Sequence, residues 1–331
     1  MERHPSPHIR SVTRINYVRN LLKKSTSTLA SFAVLFSTAG CATAQAEQVT
    51  SAPAPVTTAA PSETPAGPAL WKIADDDTTI YLFGTVHALP DDLDWKTGQI
   101  GAALETADTL VTEVVVSDSN TAEMQKIVAA KGMLPADQTL RALLNDDQRA
   151  KYDAAMTGLG LPTNAFDRFK PWYASLLLTM IPLAQQGIDV ANGVEKSLEA
   201  STRPEVKREA LETAEYQLSL FDSLSQESQI DMMMKTIDGQ DKVAEQLEAM
   251  IADWLAGDAD GLARLMNESI DEPALLERLL YQRNRNWAQW LQKRLDIPGT
   301  VFVAVGAGHL AGQNSVQEDL TKMGIKVDRV Q

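Results

Sequence analysis

Short apolar runs lie near both ends of the chain, whereas the middle repeats its apolar positions at helical spacing. Each short run is bounded by charged or glycine-containing turns, which is typical of strands. Glycines and prolines divide the middle into several helices. The predicted elements are strands at 69–74 and 78–83, a helix at 97–107, a buried strand at 109–116, a helical region to residue 295, a strand at 301–305, a helix at 315–323 and a strand at 326–330.

The two ends of the predicted folded region share a local plan. A strand runs into Gly84-x-x-His87 near one end and into Gly306-x-x-His309 near the other. A helix and a further strand follow each motif. We therefore predict one discontinuous α/β (α+β) domain, with a sheet built from both chain ends and a large helical insertion in the middle.

The first 44 residues have the pattern of an export signal, because basic residues precede a short apolar stretch and then small residues. Thr38-Ala39-Gly40-Cys41 is similar to a bacterial lipobox, in which Cys41 would be lipidated. We favour this interpretation because the single cysteine of the chain stands where a lipobox needs it. Cleavage after Ala42-Thr43-Ala44, which would release a soluble periplasmic protein, stays open as the alternative.

Residues 45–68 are mostly Ala, Pro, Thr, Ser and Glu, and we predict a disordered linker before a folded domain at 69–331. The chain carries 44 acidic and 30 basic side chains, a net charge of −14, which argues against a nucleic-acid partner. A single cysteine excludes a disulfide framework. We expect an exported, periplasmic protein that contacts the outer membrane only through a lipid on Cys41.

His87 and His309 are the two histidines outside the leader, and each follows a predicted strand at the same spacing. Histidine is a common metal ligand and a general base near neutral pH. The carboxyl edge of an open α/β sheet is where ligands usually bind, so the two side chains would converge there. Two unrelated turn histidines are the alternative.

Glu113 lies in a largely apolar strand, Leu110–Val116, and a buried carboxylate there requires a cation. Two imidazoles and one carboxylate form a ligand set seen at catalytic zinc and other divalent-metal sites. We therefore predict that His87, His309 and Glu113 bind a divalent transition metal, of which manganese, cobalt and zinc are the candidates. An edge strand with Glu113 in water is the alternative.

Arg283 falls on the apolar stripe of a predicted helix at 273–294, and Asn284, the next residue, lies beside that stripe. A guanidinium in that position requires an anion, either Glu113 or an oxyanion that develops during a reaction. We predict catalytic roles for Arg283 and Asn284 beside Glu113. The alternative is that Arg283 extends past the neighbouring tryptophans to water.

These residues resemble the TraB/PrgY/GumN family, whose animal relatives are the Tiki membrane proteases. The resemblance rests on the two G-x-x-H motifs with Gly84 and Gly306, on Glu113, and on Arg283 before the second motif. Further similarity lies in Leu70-Trp71-Lys72, in Leu211-Glu212-Thr213 with Gln217-Leu218, and in Arg283–Trp287. The resemblance covers residues 70–330 and is greatest to the bacterial GumN-type branch. It implies a metal-dependent hydrolase.

Two functional hypotheses follow. In the first, a metal-dependent hydrolase, such as a peptidase, cleaves a peptide or a small amide or ester outside the cytoplasm. Metal-bound water would attack the substrate, and Arg283 with Asn284 would stabilise the oxyanion. In the second, the same cleft binds a metal, a haem or a peptide without turnover and assists export or envelope assembly.

Overall fold

The structure is a computed structural model that describes residues 67–89, 93–115, 118–188, 193–267 and 273–331. The leader at 1–44, with Cys41, and nearly all of the predicted linker lie outside the described residues.

The centre of the fold is a six-stranded mixed sheet with the strand order β4-β3-β5-β2-β1-β6. Its strands are β1 (Leu70–Ala74), β2 (Thr78–Thr85), β3 (Thr109–Thr112), β4 (Lys207–Ala210), β5 (Gly299–Gly306) and β6 (Asp328–Arg329). β4, β3, β5 and β2 run parallel, whereas β1 is antiparallel to both β2 and β6. The mixed α/β fold, with a sheet from both chain ends, is therefore confirmed.

Two details of the sheet differ from the prediction. β4 lies inside the region that was predicted to be helical; it is a charged, half-exposed edge strand with no apolar pattern, and it forms by pairing with β3. β3 ends at Thr112 instead of Val116, because the chain bends at Glu113 and the Thr112 hydroxyl donates to the Val114 carbonyl at 2.8 Å. The four residues of β3 are buried, as predicted.

Helices connect the strands and form most of the middle of the chain. Their bounds are α1 (Gly98–Thr106), α2 (Asp118–Lys131), α3 (Asp146–Gly158), α4 (Pro171–Gln185), α5 (Val194–Ser201), α6 (Ala214–Asp222), α7 (Gln226–Asp238), α8 (Val243–Leu255), α9 (Ala259–Asn267), α10 (Pro273–Leu276), α11 (Gln282–Leu295) and α12 (Val316–Lys322), with a π-helical segment, Glu277–Tyr281, between α10 and α11. Among the described residues, no helix is both long and apolar enough to cross a bilayer.

Apolar side chains cover both faces of the sheet. On one face α11 and α12 pack on β2, β3 and β5 through Trp287, Leu291 and Leu320. On the other face α1, α5, α8 and α9 pack through Ile100, Leu198, Trp254 and Leu262. A separate core joins α2, α3, α4, α6 and α7, so the helical insertion has its own apolar interior.

The two G-x-x-H motifs are neighbours because β2 and β5 are paired in parallel. Gly84 is opposite Val305, and Thr85 is opposite Gly306. A Cβ at Gly84 would lie 3.1 Å from the Cα of Ala307, so the absence of a side chain lets the turn of the second motif pack on β2. The sheet register therefore brings His87 and His309 to the same edge, as predicted.

Gly84→Ala should lower the free energy of unfolding by roughly 1–3 kcal/mol, since the new methyl group must displace the backbone of Ala307. Gly158, the last residue of α3, has nothing within 4 Å of an added Cβ, and Gly158→Ala is the matched control. That control should leave the stability unchanged or raise it by up to about 1 kcal/mol. Urea unfolding measures both; equal effects would contradict the close packing at Gly84.

Candidate functional site

The carboxyl ends of the four parallel strands carry the candidate site. Glu212 follows β4, Glu113 follows β3, His309 follows β5, and His87 follows β2. Pairing of β3 with β4 continues past the strands, because the Glu212 amide donates to the Glu113 carbonyl at 2.8 Å. The two carboxylates are thereby brought side by side at the sheet edge, where α/β proteins usually bind their ligands.

Arg283 lies at the start of α11, directly after the π-helical segment, and its side chain has no exposed surface. Its Nε donates to Glu212 at 3.0 Å, and one terminal nitrogen, Nη2, donates to Glu113 at 2.6 Å and to Glu212 at 2.9 Å. The other, Nη1, lies 3.0 Å from both the Leu279 carbonyl and Nε2 of His309. Of the two anions that the sequence left open for Arg283, the structure shows Glu113, and the alternative of an arginine that reaches water is wrong.

Glu113 is buried, which contradicts the alternative of an edge strand in water. Its Oε1 accepts from the Gly306 amide at 2.8 Å, and its Oε2 accepts from Arg283 and from Gln217. Burial alone would raise the pKa of Glu113, but the positive charge of the neighbouring Arg283 guanidinium outweighs it, and the pKa is lowered to about 2. Glu113 is therefore an ionised partner of the guanidinium.

Glu212 and Gln217 complete the surroundings of Arg283, although the residue pattern alone assigned neither of them to the site. Glu212 accepts from Arg283 and from the indole nitrogen of Trp287 at 3.0 Å. Gln217, on α6, donates to Glu113 at 2.8 Å and to Glu212 at 3.1 Å. The sequence signal for both was the family resemblance, which included these positions without giving them a role.

His309 is fully buried and packs against Trp287, with 4.3 Å between the ring centroids. Its Nδ1 lies 2.5 Å from Oδ1 of Asn284, whose Nδ2 donates to the Asn314 carbonyl at 2.7 Å. Because that carbonyl can only accept, the Asn284 oxygen must face His309, and the ring proton belongs on Nδ1. Burial and the charge of Arg283 hold the pKa of His309 well below its usual value, so the ring is neutral.

His87 contacts the first turn of α5. Its Nδ1 lies 2.7 Å from Oε1 of Glu195, which also accepts from the Thr85 hydroxyl at 2.5 Å. The backbone holds this arrangement, because Val194 donates to the Val86 carbonyl at 3.0 Å.

The environment of His87 makes the ring a stronger base. Burial would lower the pKa of His87, but the Glu195 carboxylate outweighs it and the net pKa is raised. The charges of Glu113 and Arg283 also act on His87. The His87–Glu195 pair therefore shares one buried region with the arginine cluster, which consists of Arg283, Glu113, Glu212 and His309.

The structure thus brings together His87, His309, Glu113, Arg283, Asn284 and Gly306, and it adds Glu195, Glu212 and Gln217. The alternative of two unrelated turn histidines does not hold. The catalytic and metal-binding roles that were predicted for these residues stay predictions, and Cys41 lies outside the described part of the chain.

The predicted metal ligands do not form a metal site as they are arranged. In the described ranges, no group of three or more His, Cys, Asp or Glu side chains is placed to hold a metal ion. The chemistry of the donors explains this: His309 faces a guanidinium, and both oxygens of Glu113 accept N–H groups. A metal at these atoms would have to displace Arg283, so the arrangement does not fit the predicted ion.

A separate cavity of about 680 Å³ lies beside the second motif. Its lining includes Leu310 and Ala311, which follow His309, together with the carboxylates of Asp258, Asp260 and Glu318. Of the predicted site residues that the structure describes, none lines it.

Glu212→Gln should lower the free energy of unfolding by about 3–5 kcal/mol, because it leaves Arg283 with one carboxylate in a buried position. Glu215→Gln is the matched control: Glu215 is 65% exposed and pairs with Lys131 at 3.3 Å. We expect the control to cost less than about 1 kcal/mol. Chemical denaturation of the two variants tests this, and similar losses would show that Glu212 is not a required counter-ion.

Comparisons with known proteins identify sequence relatives of this chain. The sequence model of the TraB/PrgY/gumN family matches residues 69–329. The protein YbaP of Escherichia coli (strain K12) is 24% identical over 241 residues, covering 72% of this chain and 87% of YbaP.

A protein of Treponema pallidum (strain Nichols) is 23% identical over 268 residues, covering 76% of this chain and 80% of that protein. A metalloprotease TIKI homolog of the sponge Amphimedon queenslandica is 24% identical over 329 residues, covering 79% of this chain and 61% of the sponge protein. No solved structure matches the chain. The match of the family model over most of the chain shows that it belongs to the TraB/PrgY/gumN family.

Proposed function

We propose that this protein is a hydrolase that cleaves an amide or ester bond, with a peptide or another small amide or ester as its substrate. The observation that carries the proposal is the buried contact between His87 and Glu195, next to the arginine cluster at the carboxyl edge of the sheet. A histidine oriented by a carboxylate is a common general base. The name of the sponge relative, a metalloprotease, supports the reaction class.

His87 would take a proton from water. Contact of Nδ1 with the Glu195 carboxylate favours the proton on Nδ1, so that Nε2 carries the lone pair in the neutral ring. The water oxygen then bonds to the substrate carbonyl carbon, and Nε2 receives the proton. When the carbon–nitrogen or carbon–oxygen bond breaks, the protonated ring returns that proton to the leaving group.

Arg283 would act as a positioning residue, because it fixes Glu113, Glu212 and His309 at the sheet edge. Its N–H groups are occupied by these three side chains and by the Leu279 carbonyl in the structure, so it is not a free donor to the substrate. Asn284 would fix the tautomer of His309, since its amide oxygen accepts the proton on Nδ1 of the ring. These roles replace the direct oxyanion contact that was expected from the sequence.

The sequence also predicts a divalent metal at this site, and the name of the sponge relative points to a metal in that protein. The ligands would be His87, His309 and Glu113, with manganese, cobalt or zinc as the ion. Because these donors do not fit a metal as they are arranged, every step above uses only groups of the protein.

We propose the periplasm as the location, with a lipid on Cys41 as the anchor to the outer membrane. The support is the sequence of the leader alone. In that compartment the protein would meet extracytoplasmic peptides and cell-envelope amides or esters.

The test is hydrolysis by the purified protein of mixed peptides and of chromogenic esters. His87→Ala should reduce the rate by about 10²- to 10⁴-fold, the usual contribution of a general base. Glu195→Gln should reduce it less, because the ring remains but loses its orientation. Mass spectrometry of the products and absorbance of the released alcohol measure the two reactions.

Glu199→Gln is the control on the same helix, α5, where Glu199 pairs with Arg208 at 3.1 Å near the surface. This variant should retain the full rate. Equal rates for wild type and His87→Ala would contradict the proposal. Ligand binding without product from any substrate would instead favour the non-catalytic binding protein that the sequence left open.

A further inference from the structure

The N–H groups of Arg283 are all accounted for by acceptors of the protein. A guanidinium has five N–H groups and no acceptor. Nε bonds Glu212, Nη2 bonds Glu113 and Glu212, and Nη1 bonds the Leu279 carbonyl and His309. Such complete pairing is what a fully buried guanidinium requires.

The lone pair of His309 is also occupied. Since the ring proton lies on Nδ1 and faces Asn284, the lone pair lies on Nε2, where Arg283 donates at 3.0 Å. Imidazole binds a metal through this kind of lone pair. A cation bound to Nε2 would therefore have to take the place of the guanidinium.

The four carboxylate oxygens beside Arg283 have N–H donors as well. In Glu113, Oε1 accepts from Gly306, and Oε2 accepts from Arg283 and Gln217. In Glu212, Oε1 accepts from Arg283 and Trp287, and Oε2 accepts from Arg283 and Gln217. These N–H donors stabilise the negative charges of Glu113 and Glu212, so the two carboxylates do not require a further cation.

We propose that Arg283 occupies the position a divalent metal would take between His309 and Glu113, so that this protein uses a guanidinium there instead of a metal ion. Two positive charges at contact distance in a buried region repel each other strongly, and binding of one excludes the other. The inference concerns the site of the proposed hydrolase, but its test requires no hydrolytic activity.

The test is binding of cobalt to the purified protein, which visible absorption and metal analysis both measure. Wild type should bind no cobalt at His309. Arg283→Met removes the guanidinium but leaves Glu113, Glu212 and the His309 lone pair, so this variant should bind about one equivalent of cobalt. The second substitution His309→Gln in that variant should abolish the binding.

Arg285→Met is the matched control, since Arg285 is half exposed and pairs with Glu277 at the surface. It should behave as wild type. A folded Arg283→Met that binds no cobalt would overturn the statement that guanidinium and metal share one position. One equivalent of metal in the wild type, lost on His309→Gln, would overturn the whole inference.

A second measurement uses only folded wild-type protein and does not depend on the stability of the arginine variant. The imidazole ¹⁵N signals of His309, assigned by comparison with His309→Gln, should show a neutral ring with the proton on Nδ1. Addition of zinc or manganese should leave those signals unchanged. A shift or broadening specific to His309 would contradict the inference, and it would do so whether or not the protein hydrolyses any substrate.

Discussion

A guanidinium with no exposed surface persists in a protein interior only when anions and acceptors surround it, and Arg283 obtains them from several separate parts of the chain. Glu113 follows a strand of the first third, Glu212 follows a strand inside the helical region, and His309 follows the strand near the C-terminus. If one of these elements moved away, the buried guanidinium would lose a carboxylate or an acceptor that water cannot replace, which costs several kcal/mol. The ion cluster therefore fixes how the insertion and the two chain ends meet.

The sheet makes this cluster possible. Four parallel strands present their carboxyl ends in a row, and the register of β2 with β5 places one G-x-x-H motif beside the other. Continued pairing of the chain after β3 and β4 then sets Glu113 next to Glu212. The helices complete the site, because α11 delivers Arg283 and α5 delivers Glu195 to the same edge.

The sequence predicted the parts of this arrangement that have a local pattern. The repeated motif identified His87 and His309, the apolar strand identified Glu113, and helical spacing placed Arg283 on a buried stripe. Glu195 and Glu212 carry no such pattern, because a glutamate in a helix or after a charged strand is usually solvated. Their burial depends on contacts between distant segments, and β4 likewise forms only because β3 offers it an edge.

The pairing of β2 with β5 joins residues that are more than 200 positions apart in the sequence, since Thr85 is opposite Gly306. Contacts of such long range slow folding, because a large loop must close before they form. During synthesis, β2 has no neighbour on one side until nearly the whole chain has been made. A chain cut short before β5 would consequently lack a strand from the middle of the sheet and leave β2 and β3 with unpaired edges there. It would be a substrate for chaperones and proteases instead of a smaller version of the native domain.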